Sequence, residues 1–439
     1  MKTQKMKNTT TILVLFIMFK GMAQNVNIPD VNFKAYLVGN PSINTNGDAE
    51  IQVTEATAFT GHINCPNLGI SSLVGIEEFT NFTQLSAWSN QITFANLSAN
   101  TSLNFIRLEN NLLTNLILNR TNSVLDYLNL TINQLTSFNA SEHPLLETFL
   151  IRFNQLSSID VTQNPLLRYF GCGSNLLTSV NVTQNPELEY LFCDNNQISS
   201  LNLSQNPDLY YLSCTSNQLT TLDFSMNPLL NEVVCWNNQL TSINTTQNTV
   251  LTKINCDTNQ LTSVDFSQNT ALIELFCAVN QITTLDVTSN TALTMFGCYN
   301  NQLTSLNVQN GANTNLTYYN SDFNPNLSCI LVDDATYSSA NWLGVDPAST
   351  FANNIAGCNT LSTNSIELET LFKIIATENT IKILTNYEIQ LKTYEVYALT
   401  GAKVGSGTTT EISINTLAKG IYILKLDFDK GTVIKKFIK

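Results

Sequence analysis

Seven cysteines stand at a constant spacing of 21 residues in this chain of 439 residues: Cys172, Cys193, Cys214, Cys235, Cys256, Cys277 and Cys298. A fixed period of about 20–50 residues is typical of solenoids, propellers and other repeat arrays. The spacing therefore predicts a stack of equivalent units before any single segment is interpreted.

Each cysteine belongs to a longer unit, written LxxLxCxxNQLTSLxVTxNP, whose first asparagine recurs at Asn90, Asn111, Asn133 and then every 21 residues to Asn301. We place the one extra residue, between Asn111 and Asn133, in a loop at 119–124. Early units replace the cysteine with Leu108, Leu130 and Ile151. The apolar groups of one unit cannot offset the entropy of ordering its backbone, so the units must stack on one another.

This unit resembles the leucine-rich repeat, whose signature is LxxLxLxxNxL. The resemblance covers about eleven units over residues 63–310 and implies one short parallel strand per unit, on the concave face of a curved solenoid. The second half of each unit alternates apolar and polar residues, which favours extended chain over helix. We therefore predict a β-rich leucine-rich repeat solenoid, with an N-terminal cap at 24–62 that contains a short helix at Asp30–Leu37. Residues 311–362 break the period and are predicted to form the C-terminal cap.

The N-terminus has the pattern of a secretory signal peptide over residues 1–23. Three lysines precede the apolar run Thr11–Phe19, and Gly21, Met22 and Ala23 form a small-residue cleavage site. The apolar run is too short to span a bilayer. We expect the mature protein to begin near Gln24, outside the cytoplasm.

Residues 363–439 alternate short apolar runs with turns, which predicts a small antiparallel β-sandwich. Three segments, Val396–Gly401, Lys419–Lys425 and Lys435–Lys439, resemble the C-terminal sorting domain of the type IX secretion system. The resemblance implies that this domain is recognised by the type IX secretion machinery. It also implies a protein that is secreted or held at the cell surface, at the outer membrane of a Gram-negative bacterium.

Charge excludes one class of partner. Residues 24–362 carry 25 acidic side chains and six basic ones, a net charge of −19. Neutralising phosphates requires clustered Lys and Arg, so we expect no nucleic-acid partner. Residues 363–439 hold ten lysines against eight acids, and this change marks a separate domain.

Three interpretations apply to the cysteine ladder. Equivalent positions on adjacent strands lie about 4.8 Å apart, which allows disulfides by Cα distance, but their parallel Cβ vectors are unfavourable for a bridge. Metal sites require converging ligands, not a straight row. We therefore interpret the ladder as core, because buried cysteine behaves as a small hydrophobe. Cys329 and Cys358 lie outside the ladder and are candidates for a disulfide in an exported protein.

The segment from Asn44 to Glu55 resembles a 12-residue EF-hand loop and is a candidate Ca²⁺ site in the N-terminal cap. The candidate oxygen ligands lie at alternate positions: Asn44, Asn46, Asp48, Glu50, Gln52 and Glu55. Asn replaces the usual acid at the first position, and Ala49 replaces the usual glycine. The alternative is a capping turn without metal. We expect no other cofactor.

Catalytic motifs are lacking, since neither His62 nor His143 lies in a recognisable triad or metal spacing. We therefore predict a non-enzymatic protein. The outward strand positions are richer, and aromatic residues concentrate there in the middle repeats. The candidate binding residues of the concave face are Tyr127, Tyr169, Tyr190, Phe192, Tyr211 and Trp236. Such residues are favoured at binding surfaces, although exposed strands also favour aromatics without any ligand.

The sequence therefore predicts an exported scaffold that binds a protein or mediates adhesion through its concave face. A carbohydrate ligand is an alternative, because aromatic rings can stack on sugars. A structural role in the cell envelope without a defined ligand is a third. Fold alone does not decide among them.

Overall fold

The computed structural model describes residues 24–120, 124–361, 371–377, 379–385, 389–429 and 431–439. The predicted signal peptide at 1–23, part of the loop at 119–124 and the predicted domain start at 363 lie outside the described residues. The chain divides into two compact units, residues 1–180 and 181–439. We refer to them as the first and second units.

The first unit contains a run of short parallel strands, one in each turn of the solenoid. Each pairs in register with the next, as Ile63 does with Leu85 and Leu85 with Ile106. We call these the ladder strands. In the first unit they are His62–Asn64, Gln84–Ser86, Phe105–Arg107, Tyr127–Asn129, Thr148–Leu150 and Tyr169–Gly171. Two further parallel strands, Phe94–Leu97 and Asn115–Leu118, pair with each other in the second half of their turns.

The second unit continues the same pattern of parallel ladder strands. They are Tyr190–Phe192, Tyr211–Ser213, Glu232–Val234, Lys253–Asn255, Glu274–Phe276, Met295–Gly297 and Tyr318–Asn320. A second parallel sheet contains Thr284–Asp286, Ser305–Asn307, Cys329–Leu331 and Thr350–Ala352. The prediction of a β-rich leucine-rich repeat solenoid with little helix is confirmed.

Helices lie near the two ends of the repeats. Asp30 caps the helix Val31–Val38 by accepting hydrogen bonds from two backbone N–H groups, close to the predicted position. The other helices are Val53–Ala58, Ala335–Asn341 and Ile355–Leu361, with 3₁₀ turns at Ile76–Glu78 and Asn313–Asn315. Residues 311–362 do not all lie outside the repeats, because Tyr318–Asn320 pairs in register with Met295–Gly297.

The recurring asparagine holds adjacent turns together. The Asn238 side-chain amide donates to the carbonyls of Cys214 and Cys235, and its Oδ1 accepts from the Leu219 N–H. The residue before it has a left-handed φ of 57°, which forms the turn. This asparagine is buried in nearly every turn, so its role is structural.

A second asparagine column lies in the core on the other side of each turn. Asn206 and Asn227 are fully buried, and the Asn227 amide donates to the carbonyls of Leu203 and Asn206. In the sequence this column is the NP of the repeat, and its role was not predicted.

The C-terminal part of the second unit is an antiparallel β-sandwich. One sheet contains Phe372–Ala376, Thr380–Thr385 and Glu411–Ser413, and the other contains Leu391–Ala398, Lys403–Gly407, Ile421–Phe428 and Gly431–Ile438. Side chains of both sheets, such as Ile381 and Leu424, share one buried core. The predicted sandwich is confirmed.

Candidate functional site

The outward positions of the ladder strands form the surface on which a ligand can be bound. In each strand the middle residue and the residue after the strand are buried, as Leu191 and Cys193 show. The side chains between them point outward because strand residues alternate sides. We call this surface the strand face, and define it as the first and third residues of each ladder strand and the residue two positions further on.

Four aromatic residues meet on the strand face of the second unit or at its edge. The ring of Tyr211 lies 4.9 Å from that of Phe192 and 6.4 Å from that of Tyr190, between centroids. Tyr210, directly before the strand, lies 5.8 Å from Tyr190 and is 41% exposed. We call these residues the tyrosine cluster: Tyr190, Phe192, Tyr210 and Tyr211. Tyr210 was not predicted from the sequence, although it is adjacent to Tyr211.

The first unit has its own aromatic pair. Tyr127 stacks on Phe105 with 4.4 Å between ring centroids and an interplanar angle of 17°. Tyr169 is 37% exposed. The structure therefore places both predicted residues on the strand face of the first unit.

A charged group follows the tyrosine cluster along the strand face. Lys253 lies between Glu232 and Glu274 on neighbouring strands, with its Nζ 3.8 Å and 3.4 Å from their carboxylate oxygens. The charge of Glu232, and then that of Glu274, raises the pKa of Lys253. The only basic side chain of residues 181–362 thus already has acidic partners.

Trp236 and Asp257 occupy equivalent positions in consecutive turns. Trp236 is 40% exposed. The Asp257 carboxylate accepts a hydrogen bond of 2.6 Å from the Ala278 N–H. Burial raises the pKa of Asp257 to about 6 despite this hydrogen bond, which lowers it. The strand face therefore holds a partly desolvated carboxylate one turn after an exposed indole ring.

The ladder cysteines are buried thiols. All seven are fully buried, and none forms a disulfide. Burial raises the pKa of both Cys193 and Cys235 to about 12. Since the thiolate is the nucleophile and the metal ligand, these groups are suited to packing and not to chemistry.

Two of the three cysteines outside the ladder are joined in the structure, while Cys65 is a buried free thiol. Cys329 and Cys358 form a disulfide with 5.6 Å between their Cα atoms. It links the strand Cys329–Leu331 to the helix Ile355–Leu361. The disulfide therefore fixes this helix covalently to a strand of the second parallel sheet.

The candidate calcium loop is held by its own hydrogen bonds. One Glu55 oxygen accepts from the Thr45 N–H at 2.8 Å, and the Asn46 amide donates to Asp48. Glu50 forms an ion pair of 2.7 Å with Lys34. Within the described ranges, no group of three or more His, Cys, Asp or Glu is placed to hold a metal.

Asn44 donates its amide to two backbone carbonyls of the cap, and its Oδ1 accepts from the Gly47 N–H. Calcium binding would require these groups and their neighbours to exchange hydrogen bonds for metal bonds. It stays a prediction, which a calorimetric titration with Ca²⁺ would test.

One hydrogen bond resembles part of a catalytic site. His62 Nε2 lies 2.9 Å from the Ser86 hydroxyl. The Ser86 side chain belongs to a residue only 3% exposed, so a substrate cannot reach its oxygen. Burial, and then the charge of Arg107, lowers the pKa of His62. This pair was not predicted from the sequence, and it has the geometry of a packed polar contact.

The C-terminal sandwich matches a known family. Residues 377–439 match the model of the secretion system C-terminal sorting domain. This domain is a type IX secretion sorting domain. The expectation from the three sequence segments is confirmed, and the domain indicates a protein that is secreted or attached to the cell surface. Among the residues that the structure describes, no helix is long and apolar enough to cross a membrane.

The solenoid is similar to solved leucine-rich repeat structures. The functional domain of InlJ from Listeria monocytogenes, which includes a cysteine ladder, is 23% identical, with a TM-score of 0.57 over 95% of this chain and 98% of that one. Internalin InlF from the same species is 21% identical, with a TM-score of 0.60 over 76% and 100%. A leucine-rich repeat protein of Leptospira interrogans is 21% identical, with a TM-score of 0.55 over 66% and 83%.

These similarities establish the fold of the repeats. No curated protein matches the chain significantly in sequence. The function of the strand face therefore has to be argued from its own residues.

Proposed function

We propose that this protein is an exported, non-enzymatic scaffold that binds a protein ligand through the strand face of its second unit. The observation that carries the proposal is the tyrosine cluster. Its four rings lie on or beside the outer side of a sheet whose inner side is already filled by Leu191, Leu212 and their equivalents. Folding does not require aromatic side chains at these outward positions.

Physical chemistry favours a macromolecular ligand. Tyr and Phe bury a large apolar area at low entropic cost, and Tyr adds a hydroxyl for hydrogen bonding. The ladder strands hold these rings on a regular backbone, so little ordering is needed on binding. The surface lies along several strands and is not enclosed, which suits an extended contact better than a small substrate.

The polar contacts of the described residues support a binding role. Within the described residues, the His62–Ser86 contact is the arrangement closest to a nucleophile and base, and Ser86 is buried. The ladder thiols are buried as well. The sorting domain then directs the scaffold across the outer membrane of a Gram-negative cell, to the surface or the medium.

The experiment compares two double variants of the full chain. Tyr190→Ala with Tyr211→Ala removes the centre of the tyrosine cluster. The control, Met226→Ala with Phe323→Ala, removes apolar side chains that are 56% and 69% exposed but lie off the strand face. Immobilised protein is incubated with extracellular and cell-surface proteins, and bound partners are quantified by mass spectrometry.

We expect the amount of each bound partner to fall at least about tenfold in the tyrosine variant, as loss of a binding hot spot predicts. The control should bind the same amount as the unaltered protein. Circular dichroism must show both variants folded. Equal retention by the two variants would contradict the proposal. A glycan array run with the same proteins would show whether the tyrosine cluster binds sugars instead.

A further inference from the structure

In the first unit one cationic side chain contacts both an aromatic and an acidic side chain. The Arg107 guanidinium lies 5.5 Å from the centroid of the Trp88 ring. Arg107 also forms an ion pair with Glu109, with its Nε 2.8 Å from Oε1. The indole face and the carboxylate thus bind one guanidinium together, as cation–π and charge-assisted hydrogen bonding favour.

The second unit repeats this arrangement at equivalent positions, except for the cation. In the turn that contains Glu232–Val234 the position of Trp88 is held by Trp236. In the next turn, Asp257 stands at the position of Glu109, and Asn255 at the position of Arg107. The indole and the carboxylate are kept, and the guanidinium is missing.

The backbone keeps Trp236 beside Asp257. The Cys235 N–H donates to the Asn255 carbonyl at 2.8 Å, and the Asn237 N–H donates to the Asp257 carbonyl at 3.0 Å. The two turns therefore stay in register past the strand ends, at the spacing of neighbouring strands, about 4.8 Å.

Among the residues that the structure describes, no cation takes the place of the missing guanidinium. Among the described residues Asp257 has no ion pair, and its carboxylate accepts the Ala278 N–H. Lys253, the only basic side chain of residues 181–362, contacts Glu232 and Glu274. A desolvated carboxylate without a cation is unfavourable. The raised pKa of Asp257 reflects that cost.

Tyr299 occupies the position equivalent to Asp257 further along the strand face. Tyr299 is two turns beyond Asp257, and its pKa is raised by burial and then by the charge of Asp257. Trp236 is 40% exposed. The Asp257 side chain is thus partly buried, and the indole one turn before it is open to solvent.

We propose that Trp236 and Asp257 form a subsite for an arginine side chain of the protein ligand. This inference rests on the proposed function and specifies the chemistry of the ligand. The guanidinium would lie over the Trp236 ring and pair with the Asp257 carboxylate, as Arg107 does with Trp88 and Glu109. The net charge of −19 over residues 24–362 adds complementarity to a basic ligand.

The test uses the full chain and two small probes. N-acetyl-arginine amide is titrated against the neutral isostere N-acetyl-citrulline amide, with calorimetry and tryptophan fluorescence as readouts. We expect millimolar binding of the arginine probe, as for a single charged side chain, and binding of the citrulline probe weaker by about tenfold or more. Equal binding of the two probes, or binding of neither, would overturn the proposal.

Three variants assign the binding to this subsite. Asp257→Asn removes the charge and keeps an acceptor for the Ala278 N–H, so affinity for the arginine probe should fall about tenfold. Asn255→Arg supplies an internal guanidinium at the position of Arg107 and should block the probe to a similar extent. Asp223→Asn is the matched control, because it also removes one negative charge but lies outside the strand face. The equivalent positions in the neighbouring turns are already asparagine, Asn202 and Asn244.

Unchanged probe binding in either Asp257→Asn or Asn255→Arg would refute the subsite. An equal loss in Asp223→Asn would show that the probe responds to net charge alone, which also refutes it. These outcomes are separate from the proposed function. If the tyrosine variant loses its partners while the arginine probe fails, the strand face binds protein but this subsite does not.

Discussion

The interior of the solenoid and its strand face are made from the same strands, yet they follow opposite rules. Inside, most columns repeat one kind of side chain, as with Cys235, Cys256 and Cys277, and the recurring asparagines bond the backbone of adjacent turns. Outside, the same register presents Tyr211, Glu232 and Lys253 on three consecutive strands. Stacking requires uniform neighbours. The outward side chains are not subject to that requirement. Their differences from turn to turn can therefore specify a ligand.

The largest loss of stability is expected from a substitution in the interior. Asn238→Ala removes an amide that donates to the carbonyls of Cys214 and Cys235 and an oxygen that accepts from Leu219. Leaving these buried groups unpaired should lower the free energy of unfolding by about 3–4 kcal/mol, measured by urea denaturation. The neighbouring exposed Gln239→Ala should change it by less than about 0.5 kcal/mol. Similar losses in both variants would remove the distinction between interior and surface.

The disulfide gives the next largest effect. Replacing both Cys329 and Cys358 by Ala opens a bond across 29 residues and should cost about 2–4 kcal/mol of stability. Thermal denaturation with and without dithiothreitol measures this loss. The reductant should lower the melting temperature of the unaltered protein and leave that of the variant unchanged. A reductant effect of equal size on the variant would show that other thiols are involved, contrary to their burial.

Asp257→Asn should stabilise the protein at neutral pH. The pKa of Asp257 is about 6 in the folded state against 3.8 for an unperturbed Asp, so the folded state binds the proton more tightly than the unfolded state does. Stability from this group is present below pH 4 and is lost as the pH rises through 6. The variant avoids that loss and should be more stable by about 1–3 kcal/mol at pH 7.5.

The two proteins should unfold alike near pH 3.5, which chemical denaturation at both pH values would show. A destabilised variant at pH 7.5 would mean that the Asp257 carboxylate is structural. Stabilisation would fit a group retained at a cost to folding, as functional groups often are.

The smallest effect belongs to the ion pairs of Lys253. Lys253→Gln breaks two partly exposed contacts, with Glu232 and Glu274, and should cost less than about 1 kcal/mol. Denaturation at low and high salt would show whether that small cost is screened. A loss above about 2 kcal/mol would place these charges among the structural groups and weaken the contrast between the two regions.

The fold was predictable because its signal is repeated. The spacing of Leu191, Cys193 and Asn196 recurs in turn after turn. A unit that departs from the pattern can therefore still be aligned from its neighbours. The second asparagine column was missed because Asn206 and Asn227 precede proline, and NP is typical of a surface turn. Two extra residues before Tyr318 hid the last ladder strand, since an insertion breaks the spacing in sequence while leaving the register intact.

The strand face was predictable only in part. Alternation along each strand located Tyr190, Tyr211 and Trp236 on the outward side. Nothing in the sequence pattern showed that Tyr210 joins the tyrosine cluster, because it lies outside the strand. The relation of Trp236 to Asp257 depends on register beyond the strand ends, and desolvation of the carboxylate depends on its three-dimensional surroundings.

The central claim is that the strand face of the second unit contacts a protein ligand, and site-specific photocrosslinking tests it most directly. A benzophenone amino acid is placed at Tyr211, on the strand face, or at Gln239, an exposed position outside it. Each full-length protein is irradiated with cell-surface and extracellular proteins. The account predicts a discrete crosslinked partner from position 211 that is absent from position 239. Equal crosslinking from both positions, or from position 239 alone, would contradict it.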